Sequence, residues 1–345
     1  MVRMLAICFV AAFSRVVFGQ FEGWTENQVN ASMCLWAQPR GAVIRDTVYL
    51  DGGFLYWSQG LSNGQYGPPE QQGQWQCIFT IPACIDGLSE NPLGLMYTLN
   101  FSQPFQSSDN FTALFGTISK ARGGVGNTNN DAPNYYDGAM LVNSAQLSLY
   151  GGLVKKTDAY QPPRADDALT YQAYQYGPKA ESDEFMSTVD IYDIANNTWY
   201  RQATSDGPTA RARACAVVAP AQDQSSFNIY LYGGYPGVDP KVEMNDEVWV
   251  LSLPSFTWTR LSEGRPGRGR NGHKCFMPYP DQMMVIGGMT SEAGDHLTCL
   301  PDLIQVYNLT SGHWMESYDP ERHADYGVPA AVREVIGGGT QEEPS

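Results

Sequence analysis

Chemistry in this chain has few groups to draw on. Its 345 residues include four histidines, His273, His296, His313 and His323. His273 falls on a predicted strand and His313 in a predicted hairpin turn, which assigns both to structure and leaves His296 and His323 in loops. Carboxylates are plentiful, with 36 Asp and Glu. Asp46, Asp137, Asp246 and Asp302 are the kind of residue that could face one another across a glycosidic bond. Asp246 and Asp302, however, lead into predicted strands, where a short acceptor commonly closes a turn. No Cys/His pair for nucleophilic catalysis is recognisable, so no residue is assigned a catalytic role and no metal or cofactor is assigned.

Seven cysteines are present. Cys8 lies in the leader described below, which leaves Cys34, Cys77, Cys84, Cys215, Cys275 and Cys299. Six cysteines in an exported chain point to disulfides, with fifteen connectivities open. Proximity in sequence favours Cys77–Cys84 and Cys275–Cys299, with Cys34–Cys215 as the remainder. A zinc site is the competing reading, and it lacks the paired C-x-x-C spacing.

What remains is binding. Phe54-Leu55-Tyr56-Trp57, Tyr66-Gly67-Pro68 and Asn134-Tyr135-Tyr136 read as aromatic loops that could stack on sugar rings or dock a protein. From these, Tyr56, Trp57, Tyr135 and Tyr136 are the binding candidates, Trp57 foremost because it follows a Gly-Gly. A basic cluster, Arg260, Arg265, Arg268 and Arg270, stands against an acidic background. Arg265 and Arg268 are its candidates for an anionic group, beside the plainer reading of a solvated loop. Formal net charge is −15, so a polyanion would be repelled over most of the surface and nucleic acid is a poor partner.

Residues 1–19 read as an export signal: Arg3, an apolar run from Met4 to Phe13, and Val17-Phe18-Gly19 before a cut at Gln20. That run is too short to span a bilayer, and no other segment of the chain reads as a span. The expected protein is secreted and extracellular, in association with a cell wall if its partner is there. Sequons at Asn30, Asn100, Asn110, Asn196 and Asn308 are its glycosylation candidates.

Internal repetition decides the architecture that must position these groups. Four apolar quartets end in Gly-Gly: at Gly52-Gly53, Gly151-Gly152, Gly233-Gly234 and Gly287-Gly288. Each is a strand stopped by residues able to adopt backbone shapes closed to others. Three hairpins follow, Val189–Ile194 with Trp199, Val248–Leu253 with Trp258 and Ile304–Leu309 with Trp314, the tryptophan in each lying five residues past the last apolar position. These tryptophans read as packing residues. A further apolar stretch precedes each Gly-Gly strand, so the unit is four strands. Such a sheet cannot bury both faces alone, and radial stacking into a propeller solves that.

A hydrophobic quartet, Gly-Gly and a hairpin ending in Trp resemble the kelch repeat. Within kelch proteins the chain resembles the fungal secreted or cell-wall group, on Gln222–Asn228, Leu251–Trp258, Gly272–Cys275, Pro280–Met283, Tyr318–Pro320 and Tyr326–Pro329. The resemblance is strong over 186–338, moderate over 34–153 and absent between. It implies an all-β propeller of four-stranded blades over 20–336, with four recognisable blades, room for a fifth, and a shortened ring. Residues 154–184 are an irregular insertion or deletion junction and 337–345 a polar tail. Gly-Gly spacings of 99, 82 and 54 residues exceed the ~50 of a kelch repeat. One insertion is expected around 58–92, ahead of a hairpin formed by Leu95–Phe101 and Phe111–Ile118. Related chains carry more blades and a membrane span beyond this C-terminus, which implies a shortened isoform or an incomplete gene sequence. The function implied is non-catalytic contact with protein or cell-wall polysaccharide. The alternatives are a copper-radical oxidase of the galactose oxidase type, whose two-His, two-Tyr motif is not matched here, and a truncated chain without independent function.

Overall fold

The computed structural model describes residues 28–61, 70–71, 95–107, 109, 111–119, 138–144, 146–150, 152, 186–235, 243–290 and 299–337. Nearly every described element is a strand. The first group is β1 (Gln28–Ala37), β2 (Arg40–Ile44), β3 (Thr47–Asp51), β4 (Phe54–Leu61), β5 (Glu70–Gln71), β6 (Leu95–Asn100), β7 (Phe105–Gln106) and β8 (Phe115–Ser119). The second is β9 (Ala139–Val142), β10 (Leu147–Tyr150), β11 (Thr188–Asp193) and β12 (Thr198–Ala203). Then come β13 (Cys215–Pro220), β14 (Phe227–Tyr232), β15 (Val248–Leu253) and β16 (Thr257–Ser262), followed by β17 (Lys274–Phe276), β18 (Gln282–Ile286), β19 (Ile304–Asn308) and β20 (His313–Met315). β21 (Ser317–Tyr318) and the helix α1 (Ala330–Ile336) close the described chain.

The repeat unit is visible as three four-stranded sheets, ordered β2-β3-β6-β8, β13-β14-β15-β16 and β17-β18-β19-β20. All their pairings are antiparallel, and in each the Gly-Gly strand is second. The first sheet takes its outer pair from the hairpin expected around 95–118, and the chain between β3 and β6 includes β4 and β5. Three further sheets, β9-β10, β11-β12 and β7-β21, are two-stranded, and β1-β4-β5 is three-stranded. The architecture is that of propeller blades, with first strands side by side in the order β13, β17, β2, β9. The last blade in sequence therefore lies between the third and the first.

That order explains burial. β18 is buried along its whole length, because its blade has a neighbour on each side. In the blade β13–β16 one face stays open, leaving Val218 49% and Phe227 46% exposed. One core, built on Trp36, Leu50, Tyr97, Met284 and Ile304, fills the seam between the last and first blades. A second, built on Tyr230, Val250, Met283, Tyr307 and Val332, fills the seam between the third and last. Removing this apolar surface from water is the main drive for stacking, at ~25 cal/mol per Å².

Backbone relays cross the seams at matching positions. Gln38, Arg213 and Gly272 each stand two residues ahead of the one paired opposite the last residue before Gly-Gly. All three have left-handed backbones, with φ of 56°, 55° and 66°. The Gly272 N–H donates to Arg213 O at 2.9 Å, and the Gln38 N–H to Gly272 O at 2.6 Å. Beside this relay lie the double glycines. A Cβ on Gly287 would stand 2.4 Å from Trp36 O, and one on Gly234 2.8 Å from Ala212 O. The Gly-Gly signature therefore serves close backbone crossing as well as a positive φ.

Two sequence expectations change here. Phe54–Trp57 is not a loop but the start of β4, which pairs along β1. The disulfides join Cys34 to Cys299 and Cys215 to Cys275, in place of Cys34–Cys215 and Cys275–Cys299. Adjacent blades, rather than neighbours in sequence, bring the sulfurs together. Cys77 and Cys84 lie outside the described residues. α1 ends at Gly337 with φ 79° and packs on β15 and β16. Among the described residues no helix is long and apolar enough to cross a membrane.

Candidate functional site

The equivalent tryptophans of the repeat meet different fates. Trp258, in β16, is 5% exposed and lies against Gly207. Trp314, in β20, sits edge-on between Tyr232 and Tyr307 with the Arg265 guanidinium 4.1 Å above its ring. Trp199, in β12, is 68% exposed. The residue opposite each tryptophan follows suit: Leu251 and Tyr307 are buried, while Tyr192 is exposed. In the complete blades β15 and β19 pair with Gly-Gly strands. Among the described residues β11 pairs only with β12, and the aromatic face of this hairpin is exposed to solvent.

The face is locally organised. Tyr192 and Trp199 pair across the hairpin with ring centroids 4.9 Å apart and planes tilted by 42°. The Tyr192 hydroxyl donates to Asn197 Oδ1 at 2.9 Å, and Asn197 takes a left-handed φ of 50° in the turn. Asp193 Oδ1 accepts the backbone N–H groups of Ala195 and Asn196, which shapes the turn as an Asx motif. Asn196 Nδ2 donates to Asp193 Oδ2 at 2.7 Å, and these bonds hold the Asp193 carboxyl below its usual range.

Two residues along the same face, Arg201 meets Asp190 through Nε at 2.9 Å and Nη2 at 3.4 Å. The Arg201 hydrogen bond holds the Asp190 carboxyl low and pushes the guanidinium up. An exposed aromatic pair flanked by a bidentate ion pair supplies an apolar platform for a ring, with charged donors and acceptors at its edge. Tyr200 and Ile191, also exposed, point to the opposite face of the hairpin.

The other binding candidates fall elsewhere. Tyr56 is packed against the first core, and burial pushes its phenol up. The Trp57 backbone is paired with Met33 and Glu70. Tyr135 and Tyr136 lie outside the described residues. Arg265 grips Asp246 through its backbone N–H at 2.7 Å, Nε at 2.8 Å and Nη2 at 2.9 Å. Arg268 pairs with Asp302. Arg270, fully buried, donates to Gly287 O and Asp302 O. Three of the four clustered arginines thus sit in the seam between the third and last blades.

Two of the acidic candidates are therefore the partners of Arg265 and Arg268. Asp46 lies in an open groove at the β2–β3 turn with Arg45, Tyr49 and the sequon residue Asn100. Asp137 is outside the described residues. His273 is buried against Tyr232, His323 stacks on Tyr279 at 4.0 Å, His313 contacts Ser311 O, and His296 is outside the described residues. Of the sequons, Asn196 and Asn100 are exposed. Asn308 is half-buried, donating to Asp281 and accepting from Thr310 and Ser311.

Sequence alone did not separate Trp199 from Trp258 and Trp314, since all three occupy one register. The available signal was the 82-residue interval between Gly-Gly pairs, which breaks the repeat just ahead of β11.

A search of protein-family models matches nothing. An alignment 178 positions long, covering 44% of the chain, is 34% identical to a protein of Arthroderma benhamiae named as kelch repeat-containing. Over that stretch the chain is similar to a kelch-repeat protein. The match takes in 26% of that relative, so the kelch sequence shared here is about a quarter of its length. A solved structure titled "Structure of YjhT" aligns over 85% of this chain and 87% of its own, with 17% identity and a TM-score of 0.33. That likeness is too loose to speak for how the blades of this chain are arranged.

Proposed function

We propose that this kelch chain is a secreted, glycosylated, non-catalytic binding protein that holds protein or cell-wall polysaccharide on the β11–β12 hairpin. The observation that carries the reading is the exposed Tyr192–Trp199 pair beside Asp190–Arg201, a face buried in the complete blades. Stacked aromatics with charged groups at the rim suit a sugar ring, whose faces are apolar and whose edges carry hydroxyls. Kelch propellers generally mediate protein interactions, which supports a protein partner for the same surface. The leader at 1–19 supports export, and the exposed Asn196 in the hairpin turn supports glycosylation there. Net charge of −15 argues against nucleic acid as the partner.

Glycan-array and pull-down binding with purified mature protein, wild type against Trp199→Ala, tests this reading. Binding that falls at least ~10-fold in the variant supports it, as truncation of an exposed hot-spot aromatic costs ~2 kcal/mol. Undiminished binding in the variant, or robust turnover of any substrate, overturns it.

A further inference from the structure

We propose that Cys215, Cys275 and His273 form a soft-metal site in the seam between the third and last blades, available when the disulfide joining the two cysteines is reduced. This site is separate from the β11–β12 face and stands independently of the binding role given to it. Cys215 opens β13 and Cys275 lies in β17, the adjoining first strands of the two blades. The two sulfurs and a His273 ring nitrogen all lie within 4.8 Å of one another. Two thiolates and one imidazole, with a fourth position left for a small ligand, are a donor set for zinc(II) or copper(I).

The hydrogen bonding of the histidine leaves one ring nitrogen available to a ligand role. Its Nε2 lies 3.1 Å from Tyr232 O. A carbonyl oxygen can only accept, so the proton sits on Nε2 and Nδ1 keeps its lone pair. Nδ1 is buried and has no hydrogen-bond partner, while the residue as a whole is 2% exposed. Metal-binding histidines characteristically donate their second N–H to a carbonyl or carboxylate, which fixes tautomer and ring orientation. Tyr232 O fills that role. Burial, with the nearby Arg270 cation, keeps the ring neutral, as a ligand must be.

The reduction is an ordinary thiol–disulfide exchange. Two molecules of a thiol reductant supply two electrons and two protons, becoming one disulfide, while the Cys215–Cys275 bond becomes two thiols. Binding of zinc(II) then displaces both thiol protons to solvent, and two thiolates neutralise the divalent charge.

The test uses the full mature chain, reduced without oxygen, freed of reductant and titrated with zinc(II) against a chromophoric chelator. Circular dichroism is followed throughout. The expected result is one zinc bound per reduced chain and none per oxidised chain at the same zinc concentration. Cys215→Ser with Cys275→Ser should abolish uptake, His273→Gln should weaken it at least ~10-fold, and Cys34→Ser with Cys299→Ser should leave it intact. A reduced, folded chain that takes up no zinc overturns the proposal. So does full uptake by the Cys215→Ser/Cys275→Ser variant, which would place the metal on other cysteines. Loss of the β-sheet signal before uptake also overturns it, because the site needs both blades docked.

Discussion

Gly288 and Trp36 exchange backbone hydrogen bonds, Gly288 N–H to Trp36 O at 2.6 Å and Trp36 N–H to Gly288 O at 3.1 Å. This bridge ties β1, the first strand of the described residues, to the last blade. The Cys34–Cys299 disulfide and the Tyr318 hydroxyl, which donates to Phe101 O at 2.6 Å, lie along the same seam. The seam tolerates no side chain at its glycines. Gly287→Ala should cost ~3 kcal/mol or more in urea-induced unfolding, combining a disfavoured φ of 75° with a Cβ 2.4 Å from Trp36 O. Gly267→Ala has a similar φ of 71° but nothing within 4 Å of its Cβ, and should cost only ~1 kcal/mol.

The tryptophans should divide by role. Trp258→Ala removes a ring that is 5% exposed and should destabilise by ~3–5 kcal/mol. Trp199→Ala should leave stability within ~0.5 kcal/mol while lowering binding. Thermal melts of both variants beside the binding measurement would check the division, and an equal loss of stability would remove the distinction.

Arg265→Ala should destabilise by about 2–3 kcal/mol, less than the ~3–5 of a fully buried broken pair because the Arg265 side chain is 30% exposed. The variant leaves Asp246 buried with the Tyr232 hydroxyl and the backbone N–H of residue 265 as its donors. It also strips the cation from above Trp314. Chemical denaturation would read the loss. If Arg265 instead contacts an anionic ligand, stability should be unchanged and anion binding lost.

His273 should make stability depend on pH. Burial, aided by Arg270 and Lys274, lowers its pKa to about 3, against ~6.5 in an unfolded chain. The unfolded state therefore binds the proton more readily between those values. The stabilising contribution is complete above pH ~6.5 and is lost as pH falls toward 3, by at most ~1.4 kcal/mol per unit. Denaturation of oxidised protein between pH 7 and ~5, above the main carboxylate range, should show this slope. His273→Gln should flatten it, and an unchanged slope would move the effect to other groups.

Much of the fold was legible because its signals are local. Gly233-Gly234 and Gly287-Gly288 mark strand ends through backbone freedom that no other residue shares, and the spacing of Trp258 and Trp314 follows from hairpin register. The Phe54–Trp57 reading failed for the opposite reason: whether apolar residues after Gly-Gly form a loop or a strand depends on a partner, and β1 supplies one.

What sequence determined by itself is the repeating unit: the quartet, the double glycine, the hairpin and its tryptophan, each set by propensity and pattern within some fifteen residues. Tertiary structure alone decided which blades are neighbours, and with that the chemistry. It paired Cys34 with Cys299 across 265 residues, gave Arg265 and Arg268 to Asp246 and Asp302, and set His273 beside Cys215. It also left Trp199 in solvent while burying its equivalent Trp258. Sequence encodes a strand's own shape through short-range sterics, but the burial of its faces depends on surfaces contributed by other blades.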